Sequence, residues 1–258
     1  MKWIYLTIAQ SSLFSLRPSA TTSSGGVSLL VPTPYAIKMA LIDIYCRHFS
    51  QQLGIFGGGK DDRFNAIRDL EVRIKPPDKI SVSGGIVNVR RPPHDKKKTK
   101  EPFIPTIAYR EYVHWQKGLE DNGEMIIAFG VNETSSTLKV DMNSSGLFVY
   151  FPELLESMLL RINYIGKRGG FVQPVKVEEA GEPGDDFSKP YDPDEQQSNG
   201  FIIQQLDDMG KKITFAKVSP YNKAELNVNE HERNIVPTVL PLKLRRASPK
   251  MKVFIRTV

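Results

Sequence analysis

The sequence predicts an α+β domain, and three observations carry that expectation. Apolar residues alternate with period two in KWIYLTIAQ and again at Leu70, Val72 and Ile74, as half-buried strands require. Ile37, Leu41 and Ile44 instead recur at helical spacing. Strand-like MIIAFGV and SGLFVYF then precede helix-like PELLESMLLRINYIG, so the two periodicities are interleaved along the chain. With 258 residues and 40% hydrophobic content, one main core with insertions is expected.

The elements follow in order. Lys2 and the apolar run after it superficially imitate a secretory leader, but the alternation of Ile4, Leu6 and Ile8 with Trp3, Tyr5 and Thr7 reads as a first strand. A polar loop from Arg17 to Gly26 leads to a helix in which Thr33 can cap and Pro34 suits the first turn. That helix should end before Gly54, and a Gly57–Gly59 link should connect to the second strand. KISVSG and GIVNVRR read as two strands meeting in a turn at Gly84-Gly85, with the charged run from Pro92 to Lys100 as a loop. The C-terminal segment from Thr238 reads as closing strands with a basic face.

Charge separates function classes. The formal net charge of +6 favours polyanions. Between Arg73 and Lys117 stand eleven Lys or Arg against Asp78, Asp95, Glu101 and Glu111. From Glu178 to Asp208 the balance reverses, with Lys189 the one cation among ten acids, and a surface excursion over 178–208 is expected. Cys46 is the one cysteine, which excludes an internal disulfide and a multi-thiolate metal site and fits a reducing, cytoplasmic setting. No stretch approaches the roughly 18 apolar residues of a membrane span, so no membrane partner is expected.

Several motifs bear on chemistry. Gly54 to Lys60 nearly matches a phosphate-binding loop, but Asp61 replaces the magnesium-binding hydroxyl residue and the glycines follow a helix, so a plain connection is the better reading. His48, His94, His114 and His231 lack metal spacing, and neither a metal nor a cofactor is expected. His114 with Tyr112 and Lys117 could assemble a metal-independent ribonuclease, the other reading being surface or base-stacking residues. PTIAYREYVHW joins cations to Tyr109, Tyr112 and Trp115, the combination that neutralises phosphates and stacks bases of single-stranded RNA. Gly166-Lys167-Arg168-Gly169-Gly170 adds a second basic site where glycines permit close approach to a phosphate, alongside a helix cap at Gly166. Two such sites make RNA the leading ligand.

LLVPTPYAIKMALIDIYC, PTIAYREYV and INYIGKRGGFV, in this order across residues 1 to 172, resemble elements of the Cas5-type RAMP subunit of type I CRISPR surveillance complexes (Cascade). The first is similar to that family's proline-led helix entry, the second to the R-x-Y segment closing an inserted thumb, and the third to a G-K/R-R loop after a later helix. The resemblance implies a single RAMP domain over 1–258 with a ferredoxin-like (RRM-like) fold and a basic β-hairpin thumb inserted at 73–117. It implies a subunit that caps the 5′ handle of the guide crRNA and contacts the backbone and large subunits of the complex, meeting target DNA through the assembly. The RNA contacts it implies are Tyr35, Lys38, Arg90, Arg91, Arg110, Tyr112, Lys167 and Arg168. One subtype cuts precursor RNA with this subunit, using Tyr, Lys and His residues that cannot be placed here as a full set. A non-catalytic scaffold is therefore expected, with a RAMP-family endoribonuclease as the enzyme alternative and a ribosome- or transposon-associated RNA-binding module as a third.

Overall fold

The first strand, β1 (Lys2–Gln10), runs through the middle of the molecule, because its two faces are both apolar. Ile4, Leu6 and Ile8 are fully buried on one side, and Trp3 is 5% exposed on the other. In the computed structural model the described residues are 1–18, 26–57, 60–91, 104–118, 122–142, 146–166, 170–194, 201–219 and 231–257. The architecture is α+β, built mostly from antiparallel sheets with few helices.

The first sheet has the order β2 (Glu71–Lys75), β5 (Glu124–Val131), β1 and β8 (Val172–Ala180), antiparallel at every pair. Helix α1 (Pro34–Ile44) follows β1, and helix α5 (Phe151–Leu159) precedes β8. Ile37, Leu41 and Ile44 of α1 and Leu154, Leu155 and Met158 of α5 share one core with Ile4, Leu6 and Ile8. The Thr33 hydroxyl accepts from the Ala36 amide at 3.1 Å and Pro34 opens the helix, as the sequence predicts. Through a π-turn at Tyr45–Phe49 and α2 (Ser50–Leu53), the helical run stops before Gly54.

Helix α3 (Asp62–Arg68) stands in what the sequence suggested was only a connection. Asp61 starts it: its carboxylate accepts from the Arg63 amide at 2.9 Å and the Phe64 amide at 3.3 Å. Burial would raise this carboxyl, but hydrogen bonds from the Arg63 side chain and the Gly57 and Phe64 amides outweigh it and hold it below the usual carboxylate range. The residue that spoiled the phosphate-loop match is a helix cap.

A second sheet orders β12 (Leu242–Ala247), β13 (Met251–Arg256), β3 (Lys79–Arg91) and β4 (Ile104–Gln116). The turn expected at Gly84-Gly85 is absent, because β3 runs unbroken through both glycines and pairs with β4 from Lys79↔Gln116 to Arg91↔Ile104. A Cβ on residue 84 would collide with the Tyr109 ring, so Gly84 marks close approach of a neighbouring side chain and not a turn. Arg73 and Lys75 belong to β2, in the first sheet, so the hairpin proper spans Lys79 to Gln116 and not all of 73–117.

The remaining strands are β9 (Lys189–Pro190), β10 (Ile202–Met209) and β11 (Arg233–Leu240), in the order β10-β11-β9, and a ribbon of β6 (Lys139–Met142) with β7 (Leu147–Tyr150). The acidic stretch 178–208 is therefore not simply a surface excursion. Glu178 and Glu179 lie in β8, Phe187 and Ser188 are buried, and Asp207 is 3% exposed in β10. Among the described residues no helix is long and apolar enough to cross a membrane.

Candidate nucleic-acid interface

The β3–β4 hairpin leaves the body at a definable point. β13 covers one edge of β3 only as far as Ser83, and on the other side the β4 edge is held by Phe14 at Val113 and by the Gly26 carbonyl at Glu111. Beyond these contacts, Gly85–Arg91 and Ile104–Arg110 pair only with each other among the described residues and form a two-stranded arm. The charged run 92–100 lies outside the described residues.

Strand alternation sorts the arm into two faces. One carries Ile80, Val82, Val113 and Trp115 into the core and continues outward as Ile86, Tyr109, Ile107 and Arg90, with Ile86 76% and Ile107 70% exposed. The opposite face presents Arg110, Tyr112 and His114. On that same face the register through β13 aligns His114 with Ser81, Val253 and Arg246, and Gln116 with Lys79, Ile255 and Lys243. Lys243 and Arg246 are exposed, so this face joins cations to aromatic rings. Arg90 is exposed but lies on the other face from Arg110 and Tyr112, and Arg91 ends β3. The set expected from the sequence thus does not form one patch.

Glu111, the middle residue of Arg110-Glu111-Tyr112, holds the base of the arm. It is 5% exposed, its Oε2 accepts from the Ser28 amide at 3.1 Å, and its Oε1 accepts from Lys252 Nζ at 2.9 Å. One carboxylate thereby ties the hairpin to the entry of α1 and to β13. Sequence reasoning counted Glu111 only as one acid among many cations; a lone acid at an inward position of an alternating strand was the available signal.

Helix α1 supplies the other expected contacts. Tyr35 is half-buried with the Arg233 guanidinium 4.6 Å from its ring centre, and Arg233 Nε donates to Asp207 at 2.8 Å. Burial raises the Tyr35 phenol, Arg233 opposes this and Asp207 reinforces it. Lys38 corrects the expectation. Its side chain is 1% exposed, with Nζ donating to the Arg68 carbonyl at 2.8 Å and pairing with Asp208 at 2.7 Å. Burial pushes this ammonium below the ordinary lysine value against the pull of Asp208. An ammonium so enclosed presents nothing to a phosphate.

Lys167 and Arg168 lie outside the described residues, but the root of their loop is defined. The Ile165 amide donates to the Gly170 carbonyl at 3.0 Å, Tyr164 bridges Phe171, and Gly166 takes the left-handed φ of 78° that favours glycine. The Ser11 amide bonds the Phe171 carbonyl, and three residues on, Phe14 bridges Val113 of β4. One short segment therefore fixes the root of the basic loop beside the base of the hairpin. Among the described residues no cluster of His, Cys, Asp and Glu could hold a metal ion.

No protein-family model matches the chain. It is 26% identical over 242 residues, 92% of each chain, to the CRISPR-associated protein Cas5 of Archaeoglobus fulgidus. Among solved structures, a CRISPR protein of Archaeoglobus fulgidus aligns with 100% of this chain and 93% of its own at 15% identity and a TM-score of 0.43.

Proposed function

We propose that the chain, 26% identical to a Cas5 protein along 92% of its length, belongs to the Cas5 family and is a non-catalytic RNA-binding subunit of a cytoplasmic type I CRISPR Cascade complex. In this reading it caps the 5′ handle of the guide crRNA, contacts the backbone and large subunits, and meets target DNA through the assembly.

The observation that carries the reading is the projecting β3–β4 arm, whose base is basic and aromatic and adjoins the root of the Gly-Lys-Arg-Gly loop. The sheet order adds support. β2-β5-β1-β8, with α1 between β1 and β2 and α5 between β5 and β8, is the arrangement a ferredoxin-like RAMP body requires. RNA is held by cations on phosphates and rings under bases, so Arg90, Arg91, Arg110, Lys167 and Arg168 serve the first role and Tyr35 and Tyr112 the second. Lys38 drops out of this set and acts within the fold. Arg90 and Arg110, on opposite faces of the arm, suit a strand of RNA that hooks over it.

Ultraviolet crosslinking of a guide RNA carrying its repeat-derived 5′ handle tests the reading. Crosslinks should map to β4 around Tyr112 and disappear when the handle is removed. Crosslinks that ignore the handle would contradict 5′ capping.

A further inference from the structure

The outer face of the first sheet, away from the helices, is a second place where aromatic rings and cations meet. Trp3 and Tyr5 project from the central strand and lie opposite Gly130 and Ala128 of β5, so no bulky side chain stands beside them on that strand. In the next row Arg73 and Lys75 lie opposite Ala128 and Ile126, and the Arg73 guanidinium is 5.3 Å from the Trp3 ring centre. Rings on a central strand flanked by cations make a surface suited to stacking unpaired bases and neutralising their phosphates.

Residues 181–188 cover it. The Tyr5 hydroxyl donates to the Gly181 carbonyl at 3.0 Å, and the Phe187 ring lies 5.2 Å from the Tyr5 ring, leaving Phe187 6% exposed. The Ser188 amide donates to the Ile74 carbonyl at 2.7 Å, and the Ile74 amide donates to Ser188 Oγ at 2.9 Å, pinning the segment to the edge of β2. Asp186 pairs with Lys75 at 2.5 Å, and Glu182 lies 3.8 Å from Arg73, which also holds Glu71. A ring thus sits where a base would stack, and carboxylates sit where phosphates would. Burial raises the Tyr5 phenol, and the Asp186 and Glu182 carboxylates raise it further against Arg73.

We propose that residues 181–188 are a built-in competitor that closes this face to single-stranded nucleic acid and so confines RNA to the hairpin side of the molecule. The segment imitates the ligand in shape and charge. The closing of this face stands on these contacts alone; that RNA is thereby left to the hairpin side rests on the guide-RNA reading.

The test measures binding of a short fluorescent oligouridylate to the full-length chain across a salt series. Asp186→Asn with Phe187→Ala should tighten binding about tenfold. Freeing Lys75 should steepen the salt slope by about 0.7, the increment for one phosphate contacted on a single strand. Glu182→Gln with Asp186→Asn keeps the Phe187 packing and should tighten binding about threefold. Adding Lys75→Gln to either variant should return the slope to the parental value, and adding Tyr5→Leu should return the affinity to it while leaving the slope steep. Parental binding in both strap variants, or a gain that survives both Lys75→Gln and Tyr5→Leu, would overturn the proposal. A failure of the guide-RNA reading shows elsewhere, as weak handle binding by the parent chain.

Discussion

At the scale of single residues, ionised side chains in the fold are committed to one another before any ligand arrives. Lys38 is the clearest case. Its ammonium has traded water for Asp208 and a carbonyl, so Asp208→Ala leaves a buried charge without its carboxylate and should cost about 3 kcal/mol in urea denaturation. Lys38→Met combined with Asp208→Leu should recover most of that loss, since it removes both charges together. Asp61 yields a pH dependence. Its folded carboxyl lies below the unfolded value of about 3.9, so its stabilisation is complete above that pH and is lost as pH falls through the lower folded value. Asp61→Asn should therefore lower the urea midpoint at pH 7 and flatten its decline on acidification. Lys38 also shows where sequence reading stops. Its position one turn into a capped helix was legible, but the acid that neutralises it is 170 residues away in β10 and lay in a stretch read as surface.

At the scale of elements, local signals served well wherever geometry was local. The alternation in β1, the Thr33-Pro34 entry to α1 and the strand over Glu124–Val131 all appear as the pattern required. Glycine was read less well, because the same residue serves a tight turn and a close contact, and only Tyr109 lying across β3 distinguishes the two at Gly84. The arm itself follows from where β13 stops, which no local pattern encodes. If the arm grips RNA, Arg90→Ala with Arg91→Ala should weaken guide-RNA binding and reduce the salt slope by about 1.4, two contacts at about 0.7 each. An unchanged slope would remove both residues from the interface. The face carrying Arg110, Tyr112 and His114 gains Lys243 and Arg246 through register alone, so their contribution was visible in composition but not in place.

At the scale of the whole molecule, charge is sorted by side. Among the described residues, cations collect on the hairpin and on β12, while carboxylates lie across the outer face of the first sheet and in β10. This sorting gives a polyanion one favoured approach, to the side where the Ser11–Phe14 segment joins the loop root to the hairpin base. Tyr112 and His114 share that side, which makes holding RNA and cutting it competing outcomes of the same encounter. The most direct measurement incubates the chain with labelled repeat RNA in EDTA and reads binding and strand integrity together. The account predicts a salt-sensitive complex with the RNA intact. Site-specific cleavage, abolished by Tyr112→Phe or His114→Ala, would contradict it and make the chain a nuclease.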